Sequence, residues 1–67
     1  MEITVNDKKQ IIEERTVLSD IVFLLNGEKN KGIAVALNNV VIPKNLWNET
    51  IINENDNILI IKATQGG

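Results

Sequence analysis

The sequence predicts an α+β domain: a mixed sheet with one main helix packed across one face. Three observations carry this. Ile3 and Val5 alternate with Glu2, Thr4 and Asn6 at the start of the chain, a period of two. Leu18, Ile21, Val22 and Leu25 then recur at i, i+3, i+4 and i+7, one stripe of an amphipathic helix. Near the end, "NILIIKA" (57–63) is apolar on both faces, with Ile58 and Ile60 on one and Leu59 and Ile61 on the other, as expected of a central strand.

The remaining elements fall between these. Asn6, Asp7 and Lys8 form a turn signal, and "KQIIEE" reads as the second strand of a hairpin. The helix is expected over 17–26, with Thr16 as N-cap, Asp20 at the favourable end of the dipole and Gly27 as its stop. A polar, glycine-bracketed loop (26–32) leads into "IAVALN". There Ile33, Val35 and Leu37 share one face, and Ala34 and Ala36 lie on the other, uncovered one. Asn38 and Asn39 tolerate positive φ and mark a turn. "VVI" is a brief strand ended by Pro43, which lacks an amide donor, and one helical turn fits around Leu46 and Trp47. Trp47 reads as a plug over this irregular stretch. A single helix crossover early in the chain and a central last strand are reconciled if the first and last strands pair in parallel, each flanked by a hairpin. That is a β-grasp arrangement.

Composition bounds the function. The chain has 67 residues, which sets the expectation of one small domain. It contains no histidine and no cysteine, so the commonest general base, the strongest nucleophile, thiolate metal sites and disulfides are all missing. No catalytic residue is expected. Nine acidic against seven basic residues give a net charge of −2, which disfavours nucleic acid as a partner, and only Phe23 and Trp47 could stack on bases. No apolar run approaches a membrane span, and the first residues lack the basic and apolar regions of a signal peptide. A cytoplasmic protein, monomeric between encounters, is the expectation.

The motifs "ALNNVVIPKNLW" (36–47) and "NDNILII" (55–61), followed by a terminal Gly-Gly, resemble the ThiS-type sulfur carrier proteins of thiamin (thiazole) biosynthesis, a ubiquitin-like family. The resemblance covers the second half of the chain through Asn38, Val41, Ile42, Pro43, Lys44 and Trp47; over the first half it is topological. Lys44 stands where arginine is common, and Asn55 where glycine is expected before Asp56; asparagine is the next most tolerant residue for left-handed backbone. What the resemblance implies is a 1–63 β-grasp domain with a flexible tail, 64–67. A ThiF-like adenylating enzyme would spend ATP on the Gly67 carboxylate, sulfur would displace AMP to leave a thiocarboxylate, and a ThiG-like thiazole synthase would take the sulfur. The protein is then a cosubstrate, with no permanently bound cofactor. Gly66 and Gln65 would form the slender approach, since glycine threads a narrow channel without side-chain obstruction. Phe23, opposite the helix stripe, and Ala34 and Ala36 on the uncovered sheet face are candidate partner contacts. The small subunit of molybdopterin synthase shares fold and tail logic but lacks this Pro-Lys-x-x-Trp stretch. A β-grasp interaction module without cargo is the reading from another class.

Overall fold

A computed structural model describes residues 1–26 and 32–62. In chain order the elements are β1 (Glu2–Val5), β2 (Lys8–Ile11), α1 (Leu18–Asn26), β3 (Ile33–Leu37), β4 (Val40–Val41), a 3₁₀ helix (Lys44–Glu49) and β5 (Asn57–Lys62). The strands form one sheet in the order β2-β1-β5-β3-β4. β5 is central, parallel to β1 and antiparallel to β3, and both outer pairs are antiparallel hairpins. This is the mixed sheet with one helix expected of a β-grasp fold. Ala63, the tail 64–67 and the expected helix stop at Gly27 lie outside the described residues.

Turn chemistry sets the hairpins. Asn6 and Asp7 (φ 51° and 68°) link β1 to β2, and Asn38 and Asn39 (φ 51° and 71°) link β3 to β4. Two consecutive left-handed residues match the twist of a two-residue hairpin, and Asn and Asp reach that region at the lowest cost among residues with a Cβ. Asn55, standing in place of the expected glycine, is left-handed too (φ 68°).

The core lies between the helix and one sheet face. Ile3, Val5, Val35 and Ile58 from the strands meet Leu18, Ile21 and Val22 from α1, with Trp47 and Ile52 closing the side. The Trp47 ring is buried and its Nε1–H donates to the Ile42 carbonyl (2.9 Å), so the plug is anchored at both its apolar and its polar end. Ile42 in turn donates to the Val35 carbonyl (2.9 Å), continuing the β4 side of the sheet up to Pro43.

Two expectations about the helix are corrected. Thr16 is not its N-cap: the Thr16 hydroxyl donates backward to the Glu13 carbonyl (2.6 Å), closing a turn in which Arg15 is left-handed (φ 67°). The helix start is pinned by a short antiparallel bridge instead, Val17 opposite Ile51, in which Leu18 N–H donates to Thr50 O and Ile52 N–H to Thr16 O. Leu25 belongs to the apolar stripe by spacing but is 43% exposed. It borders an open hollow of about 560 Å³ shared with Val5, Asn6, Lys8, Gln10, Ile60 and Lys62, and among the described residues no element closes over it.

Candidate functional site: the last strand and its open face

β5 carries the chain towards its end, and its fixation is built in stages. At its start, Thr4 N–H donates to Asp56 O (3.0 Å) and the Thr4 hydroxyl to Asn57 Oδ1 (3.0 Å). On the other side the β3–β4 turn reaches across. Asn38 Nδ2 donates to Asp56 Oδ1 (3.0 Å), Asn38 Oδ1 accepts from Asn57 N–H (2.8 Å), and Asn38 N–H donates to Asn57 O (2.8 Å). The second Asp56 oxygen accepts from Asn53 N–H (2.7 Å). Asp56 is the buried charged side chain among the described residues, and each of its oxygens is satisfied, as a buried carboxylate requires.

Further along, β1 ends at Val5 while β5 continues. Asn6 bridges the gap: its backbone N–H donates to Ile58 O (2.9 Å) and its Oδ1 accepts from Ile60 N–H (2.8 Å). On the β3 side the ladder persists to the last residue of the strand, with Ile33 opposite Lys62. The backbone is therefore held up to the point where the described chain stops. A stiff anchor of this kind delivers whatever follows it to a defined place.

The helix covers one face of the sheet; the other face is open. Register assigns its occupants: Ala34 lies opposite Ile61, and Ala36 opposite both Leu59 and Val41. Ile61, Leu59 and Val41 are exposed (49%, 45% and 67%), and Ala34 is exposed with them. Ala36 is buried, because its methyl group sits low between two larger neighbours. The surface at that point is offered by Leu59 and Val41, and Ala36 is the floor beneath them. Towards β1 and β2 the same face turns polar with Glu2, Thr4, Lys9 and Asn57, including an exposed Lys9–Glu2 pair at 3.9 Å, and Ile11, opposite Glu2, is the apolar exception at its edge. Such an exposed pair contributes at most about 1 kcal/mol. The result is an apolar patch along the final strand, bordered by charge on one flank.

Sequence reasoning named the alanines but not Leu59, Ile61 and Val41 as contacts. Alternation grouped the first two on one side of the strand; only register sets Leu59 and Val41 on either side of Ala36 and Ile61 beside Ala34. Phe23 is exposed on the outer side of α1 (59%), as its position on the helical wheel predicts. It is remote from this patch, on the opposite side of the sheet. Gln65, Gly66 and Gly67 lie outside the described residues. Among the described residues no cluster of acidic, histidine or cysteine side chains could hold a metal ion, and no helix is long and apolar enough to cross a membrane.

The comparisons with known proteins agree with this geometry. No curated protein matches the chain significantly. The crystal structure of a thiamine biosynthesis protein (ThiS) from Geobacter metallireducens superimposes with a TM-score of 0.84 at 22% identity, each chain covered in full. An NMR solution structure of a thiamine biosynthesis protein from the same organism gives 0.79 at 22% identity, covering all of this chain and 88% of that one. At this identity the likeness speaks for the fold. The family model of ThiS matches residues 1–67, the entire sequence, and on that match the chain belongs to the ThiS family.

Proposed function

We propose that Gly67 carries the sulfur and that the open face along β5 docks the enzyme that loads it. As a ThiS family member this chain is a small sulfur carrier. The finer chemistry runs as follows. The Gly67 carboxylate attacks the α-phosphorus of ATP on a ThiF-like adenylating enzyme and pyrophosphate leaves. The outer sulfur of a partner's persulfide then attacks the acyl carbon and AMP departs, leaving an acyl disulfide; a second thiol reduces its S–S bond, becoming a disulfide itself, and a thiocarboxylate remains. A ThiG-like thiazole synthase accepts that sulfur.

One observation supports this reading above the others: a central strand, clamped on both sides and held to Lys62, precedes a tail that ends in two glycines. The five residues 63–67 reach at most ~17 Å when extended, so the body must sit close to the activating site. An apolar patch on the same strand is well placed to provide that contact. It is bounded by polar residues, the pattern of an interface core and rim. The residues 64–67 act as tether and the preceding body as anchor, with the glycines leaving no Cβ beside the reacting carbonyl.

The test is direct. With ATP, a sulfur donor and a ThiF-like enzyme, intact mass should rise by the difference between sulfur and oxygen, and the gain should map to the C-terminal peptide. An unchanged mass, under conditions that load an authentic carrier, overturns the assignment.

A further inference from the structure

A second apolar surface lies along the β2 edge of the molecule, between the end of that strand and the outer side of α1. Ile11 and Ile12 at the end of β2, together with Ile21, Phe23 and Leu24 of α1, line a groove of about 430 Å³. Ile11, Phe23 and Leu24 are 77%, 59% and 72% exposed. Single exposed apolar side chains are ordinary, but three large ones converging on one groove in so small a protein mark an interaction surface. The polar members of the lining are Glu13, Thr16 and Asp20, with no lysine or arginine among them. Neither carboxylate is ion-paired among the described residues.

Apolar floor and acidic rim together specify the occupant. A second copy of this chain would bring the same two carboxylates into a shared interface, where like charges repel. An anionic membrane surface is disfavoured for the same reason. We propose that this groove docks a cationic amphipathic segment of a partner protein, an aliphatic side chain entering the groove with lysine or arginine on either side to meet Glu13 and Asp20. This goes beyond the carrier reading and does not depend on it.

Register shows what such a site could do. β2 is antiparallel to β1, with Ile11 opposite Glu2, whereas β5 is parallel to β1 and starts opposite Thr4. Ile11 therefore lies at the end of the sheet where β5 begins. The chain leaves at the other end, beside Asn6, Lys8 and Leu25, which share a hollow with Lys62. A partner seated in the groove meets the open face only at its β2 edge, through Ile11, and leaves the apolar patch of β3 to β5 and the exit of β5 uncovered. The carrier could then stay tethered to one protein while its tail is engaged by another.

The experiment uses a synthetic helical peptide with a leucine stripe flanked by lysines, and its charge-reversed glutamate counterpart, titrated into the isotope-labelled full chain and into a chain lacking Gly66 and Gly67. Amide shifts should concentrate on Ile11, Ile12, Phe23 and Leu24, equally with and without the terminal glycines. The glutamate peptide should bind roughly fivefold or more weakly, the difference shrinking at high salt. Phe23→Ser combined with Leu24→Ser should weaken the lysine peptide at least tenfold, while an unchanged thermal transition shows that the fold is intact. Shifts on Leu59 and Ile61 instead, equal affinity for the two peptides, concentration-dependent dimerisation through Phe23, or no binding at millimolar peptide would each overturn the proposal. Because the shortened chain cannot be loaded with sulfur, these outcomes are separate from success or failure of the carrier chemistry.

Discussion

The two faces of β3 and β5 are made by the same residues in alternation, yet they have opposite fates. On the covered face Val35 and Ile58 are fully buried; one residue further along each strand, Ala36 and Leu59 look outward. The covered face supplies the cohesion of the domain. On the outer face Leu59, Ile61 and Val41 are apolar without being needed for packing against α1. Burying an aliphatic side chain is worth about 1.5–3 kcal/mol whether the cover comes from the same chain or from another. On the proposed function, the cover for the outer face comes from a partner.

Substitutions can break this contrast, and the largest effect belongs to the covered face. Ile58→Ala should cost about 2–5 kcal/mol in chemical denaturation, since Ile58 is wholly enclosed and a small core has few ways to refill the void. For a domain this size each kcal/mol lowers the melting temperature by about 4–8 °C. Next comes the clasp at the start of β5. Asp56→Ala should remove about 1.5–3 kcal/mol, because Asn38 Nδ2 and Asn53 N–H lose a charged acceptor together. A comparable change at Asn38 should couple with it in a double-mutant cycle, the two being joined by direct contact.

The turn before β5 sharpens the comparison at smaller scale. Asn55→Val should destabilise by about 1–2 kcal/mol, a β-branched residue being forced to φ 68°, while Asn55→Gly should leave the denaturation midpoint unchanged or slightly raised. The outer face should show the least in stability and the most in function. Leu59→Ser with Ile61→Ser should alter stability by no more than about 1 kcal/mol, as expected of half-exposed positions. The same pair should lower the rate of sulfur loading, read by mass spectrometry, at least tenfold. Deleting Gly67 should abolish loading with the melting temperature unmoved; a fall in that temperature would make the tail part of the structure.

Much of this was legible in the residues. The alternation at Ile3 and Val5, the helical spacing from Leu18, the asparagine turns and the doubly apolar last strand are local patterns, and each corresponds to an element in the structure. The resemblance carried by Pro43, Lys44, Trp47 and the motif around Asn55 identified the family that the whole-chain match shows. Thr16 misled because a hydroxyl before a helix can bond forward to an amide or back to a carbonyl, and the choice depends on the bridge between Val17 and Ile51, residues far apart in sequence. Leu25 misled because spacing puts a residue on a face without saying how far the neighbouring elements extend. Nothing local marks Asp56 for burial; its partners are Asn53 nearby and Asn38 eighteen positions away.

By itself, then, the sequence determined the order of elements, the parity of each strand and the side-chain-free end, since these are properties of short stretches of chain. Tertiary structure decided which outward residues stand tall, which alanine is shaded, what clasps the last strand, and that a second apolar groove opens beside acidic residues at the β2 edge. Those outcomes follow from register and from contacts between distant positions, where a shift of one residue exchanges inside for outside.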